Sequence, residues 1–111
     1  HLYPVMAHTA DPDDRGASWA AIIGLDDTIA WDPVPEEEPE LEDRIIGVQA
    51  TFWSEFTTQD AEMEPMLAPR ILGPAIMGWQ ARGTADPGTL AALAQEYRQV
   101  FDAMGWRHAM A

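Results

Sequence analysis

A tryptophan and a glutamate stand two residues apart where an apolar run ends, in the stretch I-I-G-V-Q-A-T-F-W-S-E-F from Ile45 to Phe56. A flat indole can cover the C–H face of a sugar ring, and a nearby carboxylate can accept hydrogen bonds from its hydroxyls. In a strand, that spacing puts Trp53 and Glu55 on the same side of the sheet. At the C-terminal end of a barrel strand, that side faces the mouth of a pocket. The same pattern also describes a core tryptophan beside an exposed glutamate, and for the pair taken alone that is the favoured reading.

The elements that would position this pair follow from patterning. Residues 45–53 are apolar on both faces, which suits a parallel strand covered on both sides. Residues 1–6 form a second short apolar run that reads as a strand end. Between them, Asp11 suits an N-cap and Pro12 the first helical position, which predicts a helix over 12–23 with Gly24 as its C-terminal cap. Residues 25–44 hold three prolines and an acidic run with no regular period, and read as a long acidic surface loop in which Glu36 to Glu38 form a solvated face. The stretch M-E-P-M-L-A-P-R-I-L-G-P-A-I-M-G-W-Q is helical in content, with a kink expected near Gly73 because Pro74 disrupts a helix interior. Asp86-Pro87 opens the clearest helix, the terminal one over 86–104. Leu90, Leu93, Ala94, Tyr97, Val100, Phe101 and Met104 share its apolar stripe, and Gly105 is its stop.

The order is strand, helix, loop, strand, helix, helix, which is the βαβα currency of α/β folds. Two parallel strands cannot cover their own faces or satisfy their own edges, so this sequence calls for more sheet than it supplies. The opening His1-Leu2-Tyr3-Pro4-Val5-Met6 likewise reads as the interior of a longer protein.

Composition narrows the partners. The 111 residues fit one ordinary domain, and 47% hydrophobic content with five tryptophans is too apolar for a disordered chain. Nineteen acidic against six basic side chains give a formal charge of -13, which repels nucleic acid and anionic membrane surfaces. The absence of cysteine excludes disulfides and thiolate metal sites. His1, His8 and His108 lack metal-ligand spacing and read as surface residues. D-P-D-D-R-G imitates the opening of a calcium loop, but its twelfth position is Ile22 rather than glutamate, so no metal or other cofactor is expected.

Four ordered segments together resemble the C-terminal part of the glycoside hydrolase family 20 β-N-acetylhexosaminidases. G-V-Q-A-T-F-W-S-E is similar to the family's last barrel strand, which ends in W-[ST]-E. D-P-D-D-R-G-A-S-W is similar to D-P-x-E-R-G-x-x-W, W-D-P at 31–33 to an aromatic-D-P turn, and P-R-I-L-G-P-A-I-M-G-W to the helix P-R-L-L-A-L-A-E-x-x-W. The resemblance implies the C-terminal βαβα portion of a (β/α)8 TIM barrel, the last two strands with their helices, plus a C-terminal helix. It implies as partners an N-acetylhexosamine-containing glycoside and the remainder of the barrel, with catalysis assisted by the substrate's own acetamido group.

By the same resemblance, Tyr3 is the catalytic tyrosine whose hydroxyl holds the acetamido oxygen. Trp19, sixteen residues later, lines the sugar pocket. Trp53 forms the floor of the acetamido pocket, and Glu55 accepts from sugar hydroxyls. Arg70 is expected to pair a buried carboxylate below the barrel mouth. The family's catalytic Asp-Glu pair has no equivalent in this sequence. Two further departures are Val5, where the family carries aspartate, and Ile76, where its helix carries glutamate.

Overall fold

The computed structural model describes residues 22–54 and 57–109. Its order of elements is a 3-10 turn at Asp26–Thr28, a second at Pro39–Arg44, and the helices α1 (Asp60–Leu67), α2 (Leu72–Trp79) and α3 (Pro87–Ala103).

Helix α1 starts where acidic residues fall in the first turn, the end favoured by the helix dipole. Glu62 reaches back so that its Oε2 accepts the Thr58 N–H at 2.8 Å and the Thr58 hydroxyl at 3.0 Å, which ties the 57–58 segment to the helix. Pro65 lies inside α1 and supplies no N–H to its ladder, one reason the helix has only eight residues.

The break between α1 and α2 falls at residues 68–71, earlier than the kink expected near Gly73. Pro69 prevents the helix from running through, and the Ala68–Pro69 peptide is cis. Turn hydrogen bonds from Leu72 N to Pro69 O (2.9 Å) and from Gly73 N to Arg70 O (3.0 Å) then start α2. Pro74 is the third residue of α2, in the first turn, where N–H groups have no partner within the helix, so it is tolerated rather than disruptive.

Gly73 presses on the 3-10 turn at Asp26–Thr28. A Cβ at this position would overlap the Thr28 side chain, so the approach of α2 to the turn requires glycine. Thr28 is fully buried there, its hydroxyl donating to Leu25 O at 2.6 Å.

Helix α3 carries both of its end signals. The Asp86 carboxylate accepts the Thr89 N–H at 2.8 Å, and Pro87 follows it at the first helical position. At the other end Gly105 takes φ 73°, the Trp106 N–H donates to Phe101 O at 2.9 Å and the Gly105 N–H to Asp102 O at 3.0 Å. This is a Schellman cap, and its accompanying apolar contact is the stacking of Trp106 on Phe101.

The core joins Ile29, Ala68, Leu72, Ile76, Leu90, Ala94 and Phe101, with α2 packed on α3 and on the first 3-10 turn. Only part of the α3 stripe is covered. Leu90, Ala94 and Phe101 are buried, whereas Tyr97, Val100 and Met104 stay exposed because α2 is too short to face the whole seventeen-residue helix.

Four expectations are not met among the described residues. Among the described residues no regular strand forms, and residues 45–53 have one isolated bridge position, Ala50. A parallel strand takes its hydrogen bonds from neighbouring strands, and the described residues provide no more than a second isolated bridge position, at Ile22. Gly24 does not adopt the left-handed conformation of a helix cap; its N–H donates to Asp27 Oδ2 at 2.8 Å and opens the following turn. Ile22 and Ile23 are not helical, and the remainder of the helix expected over 12–23 lies outside the described residues, as do residues 1–6. His108 is partly buried rather than open on the surface. Its side chain is 13% exposed, with Nε2 2.9 Å from Asp102 Oδ1 and its ring beside Phe101. The tail is drawn in by hydrogen bonds from Arg107 N to the Glu64 carboxylate Oε2 and from Ala109 N to Ala68 O, both 3.0 Å.

Candidate functional site

Of the four residues singled out by sequence, Trp53 is the one within the described part of the chain. Tyr3, Trp19 and Glu55 lie outside it. Trp53 follows the extended segment, and its side chain is 54% exposed, so it is not a core tryptophan among the described residues. Ser54, next to it, is exposed, and its carbonyl accepts the Thr57 N–H at 3.2 Å. Thr58 is held by Glu62 of α1.

Arg70 is fully buried at the turn between α1 and α2. Its Nε donates to Met66 O at 3.1 Å and its Nη1 to Ile23 O at 3.4 Å. A guanidinium with several donors in a fixed fork can join two chain segments in this way, and here it ties the α1–α2 turn to the segment at Ile23.

The W-D-P turn is held in part by Arg82, a residue that sequence reasoning did not single out. Asp32 Oδ1 accepts the Val34 N–H at 2.9 Å, an Asx turn, while Trp31 Nε1 donates to Thr28 O at 2.9 Å. Arg82, between α2 and α3, grips Asp32 with Nε and Nη2, and its Nη1 lies 3.2 Å from Glu42 Oε2. The hydrogen bonds from Arg82, followed by that from Val34, hold the Asp32 carboxyl down at about 2. The same pairing moves the Arg82 guanidinium upward. Glu36 to Glu38 are exposed, and the acidic run contributes to this cluster through Glu42 instead. A lone arginine fifty residues from its partner gives no local signal in the sequence.

Among the described residues no group of three or more histidine, aspartate or glutamate side chains could hold a metal ion, and no helix is long and apolar enough to cross a membrane.

Comparison with known proteins supplies the context for this geometry. Residues 1–82 match the family model described as glycosyl hydrolase family 20, catalytic domain. The chain is 32% identical over 97 residues to a β-N-acetylhexosaminidase of Cellulomonas fimi, covering 85% of this chain and 19% of that protein. It is also 32% identical over 72 residues to a β-hexosaminidase of Vibrio furnissii, covering 62% of this chain and 12% of that one. Among solved structures, the family 20 β-N-acetylhexosaminidase of Streptomyces coelicolor A3(2) superposes with a TM-score of 0.86 at 26% identity, over 100% of this chain and 22% of the other. The exo-β-N-acetylglucosaminidase of Vibrio harveyi, solved with N-acetylglucosamine, gives a TM-score of 0.83 at 23% identity over 98% of this chain and 17% of the other, a likeness of fold.

The fold neighbours are domains of the TIM-barrel type, the class of glycoside hydrolases. The chain belongs to glycosyl hydrolase family 20, within its catalytic domain. It spans about a fifth or less of the length of the relatives it matches.

Proposed function

We propose that this chain is the C-terminal, substrate-binding segment of a β-N-acetylhexosaminidase that removes terminal non-reducing β-linked N-acetylhexosamine. Residues 1–6 and 45–53 serve as its last two barrel strands, paired in the intact barrel with each other and with a strand from outside this sequence. The observation that carries the reading is the family match over residues 1–82, the span in which Tyr3, Trp19, Trp53 and Glu55 fall.

In this role the Tyr3 hydroxyl donates to the substrate's acetamido oxygen and aligns it with the anomeric carbon. As that oxygen bonds to the carbon, the glycosidic bond breaks and its oxygen takes a proton from a carboxylic acid supplied by another part of the barrel. Water then opens the resulting oxazolinium ring with retention of configuration. Trp19 and Trp53 enclose the sugar in apolar surface, and Glu55 accepts hydrogen bonds from its hydroxyls. Arg70 pairs a buried carboxylate beneath the mouth.

The test is hydrolysis of an aryl N-acetyl-β-glucosaminide by the intact protein, compared with the matching aryl β-glucoside. The acetamido substrate should be cleaved and the glucoside should not, because only the first carries the nucleophile. Equal cleavage of both would remove the substrate-assisted route. A second reading, a non-catalytic sugar-binding descendant, draws on Val5 in place of the family's aspartate; binding of N-acetylglucosamine without turnover would favour it.

A further inference from the structure

The carboxylate of Glu62, in the first turn of α1, holds a residue that lies outside the helix. Its Oε2 accepts the Thr58 N–H at 2.8 Å and the Thr58 hydroxyl at 3.0 Å. Helix α1 begins at Asp60, and its N-cap residue, Gln59, makes no side-chain capping bond. In a capping box, the side chain of the third helical residue reaches back to the N–H of the N-cap residue. Glu62 is that third residue, and it reaches one position further, to the incoming chain.

That incoming chain is the one that leaves Trp53. Ser54 follows the tryptophan, and its carbonyl accepts the Thr57 N–H at 3.2 Å. The Thr57 hydroxyl lies 3.9 Å from the sulfur of Met66, a buried residue one turn further along α1 than Glu62. The Met66 carbonyl in turn accepts from Nε of the buried Arg70 at 3.1 Å, which anchors that end of the contact in the core. Trp53 is thus joined to α1 through Ser54 and Thr57 and then by two side-chain contacts, Thr57 to Met66 and Thr58 to Glu62. The second is the stronger, because a thioether is a weak acceptor and hydrogen bonds to a carboxylate are about twice as strong as neutral ones.

Two simpler accounts of Glu62 compete with a role in the sugar pocket. A device that only starts α1 changes stability and leaves sugar binding alone. A group that acts through its charge or its proton fails as soon as the carboxylate is replaced by an amide. A role through Thr58 differs from both, and it needs no free surface, since it depends on bonds that the chain makes with itself.

We propose that Glu62 is a positioning residue for the sugar pocket: through Thr58 it fixes the segment that follows Trp53, and with it the indole set against the sugar. The identity of the ligand rests on the hexosaminidase reading above; the hydrogen bonds from Thr58 to Glu62 do not. Glu62 itself touches no sugar. Its carboxylate sets where the backbone after Trp53 lies, and that backbone sets where the ring lies.

The experiment measures, in the intact protein, KM and kcat for an aryl N-acetyl-β-glucosaminide and, in parallel, the Kd for N-acetylglucosamine, each well below the variant's melting temperature. Glu62→Ala should raise KM and Kd about ten-fold with kcat changed less, because a small misplacement of a contact group is costly. Glu62→Gln keeps an acceptor oxygen at the same reach and should recover most of that loss. Glu64→Ala removes a carboxylate two residues along α1, the acceptor of the Arg107 N–H, and should shift the melting temperature while KM and Kd stay at wild type. Thr58→Val loses the hydroxyl bond and keeps the N–H bond; it should raise KM and Kd in the same direction and decides the question if Glu62→Ala fails to fold. Wild-type KM and Kd in Glu62→Ala, or in Thr58→Val where the first does not fold, would overturn the positioning role. Glu62→Gln as impaired as Glu62→Ala would also overturn it, by assigning the effect to charge, and so would an equal rise in Glu64→Ala, by assigning it to a loosened helix. A wild-type protein that binds N-acetylglucosamine without turnover would remove the hexosaminidase reading while the Kd comparison still decides on Glu62, and one that neither binds nor cleaves would remove both.

Discussion

Asp32 and Arg82 stand fifty residues apart and meet through two parallel hydrogen bonds of 2.8 and 2.7 Å. The pair joins the W-D-P turn to the connection between α2 and α3, and Glu42 joins the same guanidinium from the second 3-10 turn. An acidic segment with little regular structure of its own is thereby fixed to the helical layer. Bidentate geometry makes this more directional than an ordinary surface ion pair.

The pH dependence of that clamp follows from Asp32. Its carboxyl is held at about 2 when folded, against an ordinary value of 3.8. The unfolded chain therefore takes up the proton first as pH falls. The clamp's contribution is complete above about pH 4 and is lost as pH drops towards 2. Thermal unfolding of wild type and Asp32→Asn should differ at neutral pH and converge near pH 2, and the difference should shrink with added salt. Curves separated by the same interval at every pH would remove the clamp.

Gly73→Ala should be severely destabilising. The added methyl would collide with the buried Thr28 side chain, and overpacking of this kind costs about 1 to 3 kcal/mol or more. Gly78→Ala is the control on the same helix. There a Cβ would lie 3.3 Å from one methyl of Val48, and the gain in helix propensity of roughly 0.8 to 1 kcal/mol offsets the tight contact. Urea unfolding of the two variants should place Gly73→Ala well below Gly78→Ala.

The ends of α3 should each be worth a measurable amount. Asp86→Ala removes the acceptor for the Thr89 N–H and should cost about 1 kcal/mol. Gly105→Ala forces a side chain into the left-handed region and should cost about 1 to 2 kcal/mol. The two sites are distant along the helix, so the double variant should show nearly the sum. Circular dichroism during denaturation reads both.

In the intact protein, Tyr3→Phe should lower kcat by tens- to hundreds-fold, on the order of 2 to 3 kcal/mol, with stability almost unchanged. The ring volume is kept, and the lost hydroxyl matters most as the oxazolinium ring forms. Wild-type kcat would refute the role, while activity loss that tracks a lower melting temperature would assign Tyr3 to packing.

Glu55→Ala should reduce kcat/KM ten- to a hundred-fold, or about 1.5 to 3 kcal/mol for a charged hydrogen bond to the sugar. Unaltered kinetics on the aryl N-acetyl-β-glucosaminide would remove it from the site.

Local chemistry was legible from the sequence alone. Asp86, Pro87 and Gly105 announced α3 because capping depends on residues within a turn of one another, and the four motif segments carried the family because their order and spacing are linear properties. The W-S-E end of the apolar run marked Trp53, which is half exposed among the described residues. What required the tertiary structure were relationships between distant residues. The break between α1 and α2 falls at Pro69 rather than Pro74 because Pro74 is absorbed in the first turn of a new helix, a matter of where that helix begins. Gly73 is a contact point only because Thr28 lies opposite, and Arg82 finds Asp32 and Glu42 only after two connections are folded together. His108 is covered because the tail returns to α1, which no local pattern encodes. Residues 45–53 read as a strand from their apolar character, but a strand is completed by the backbone groups of its neighbours, and those lie beyond what this sequence's own local patterning can supply.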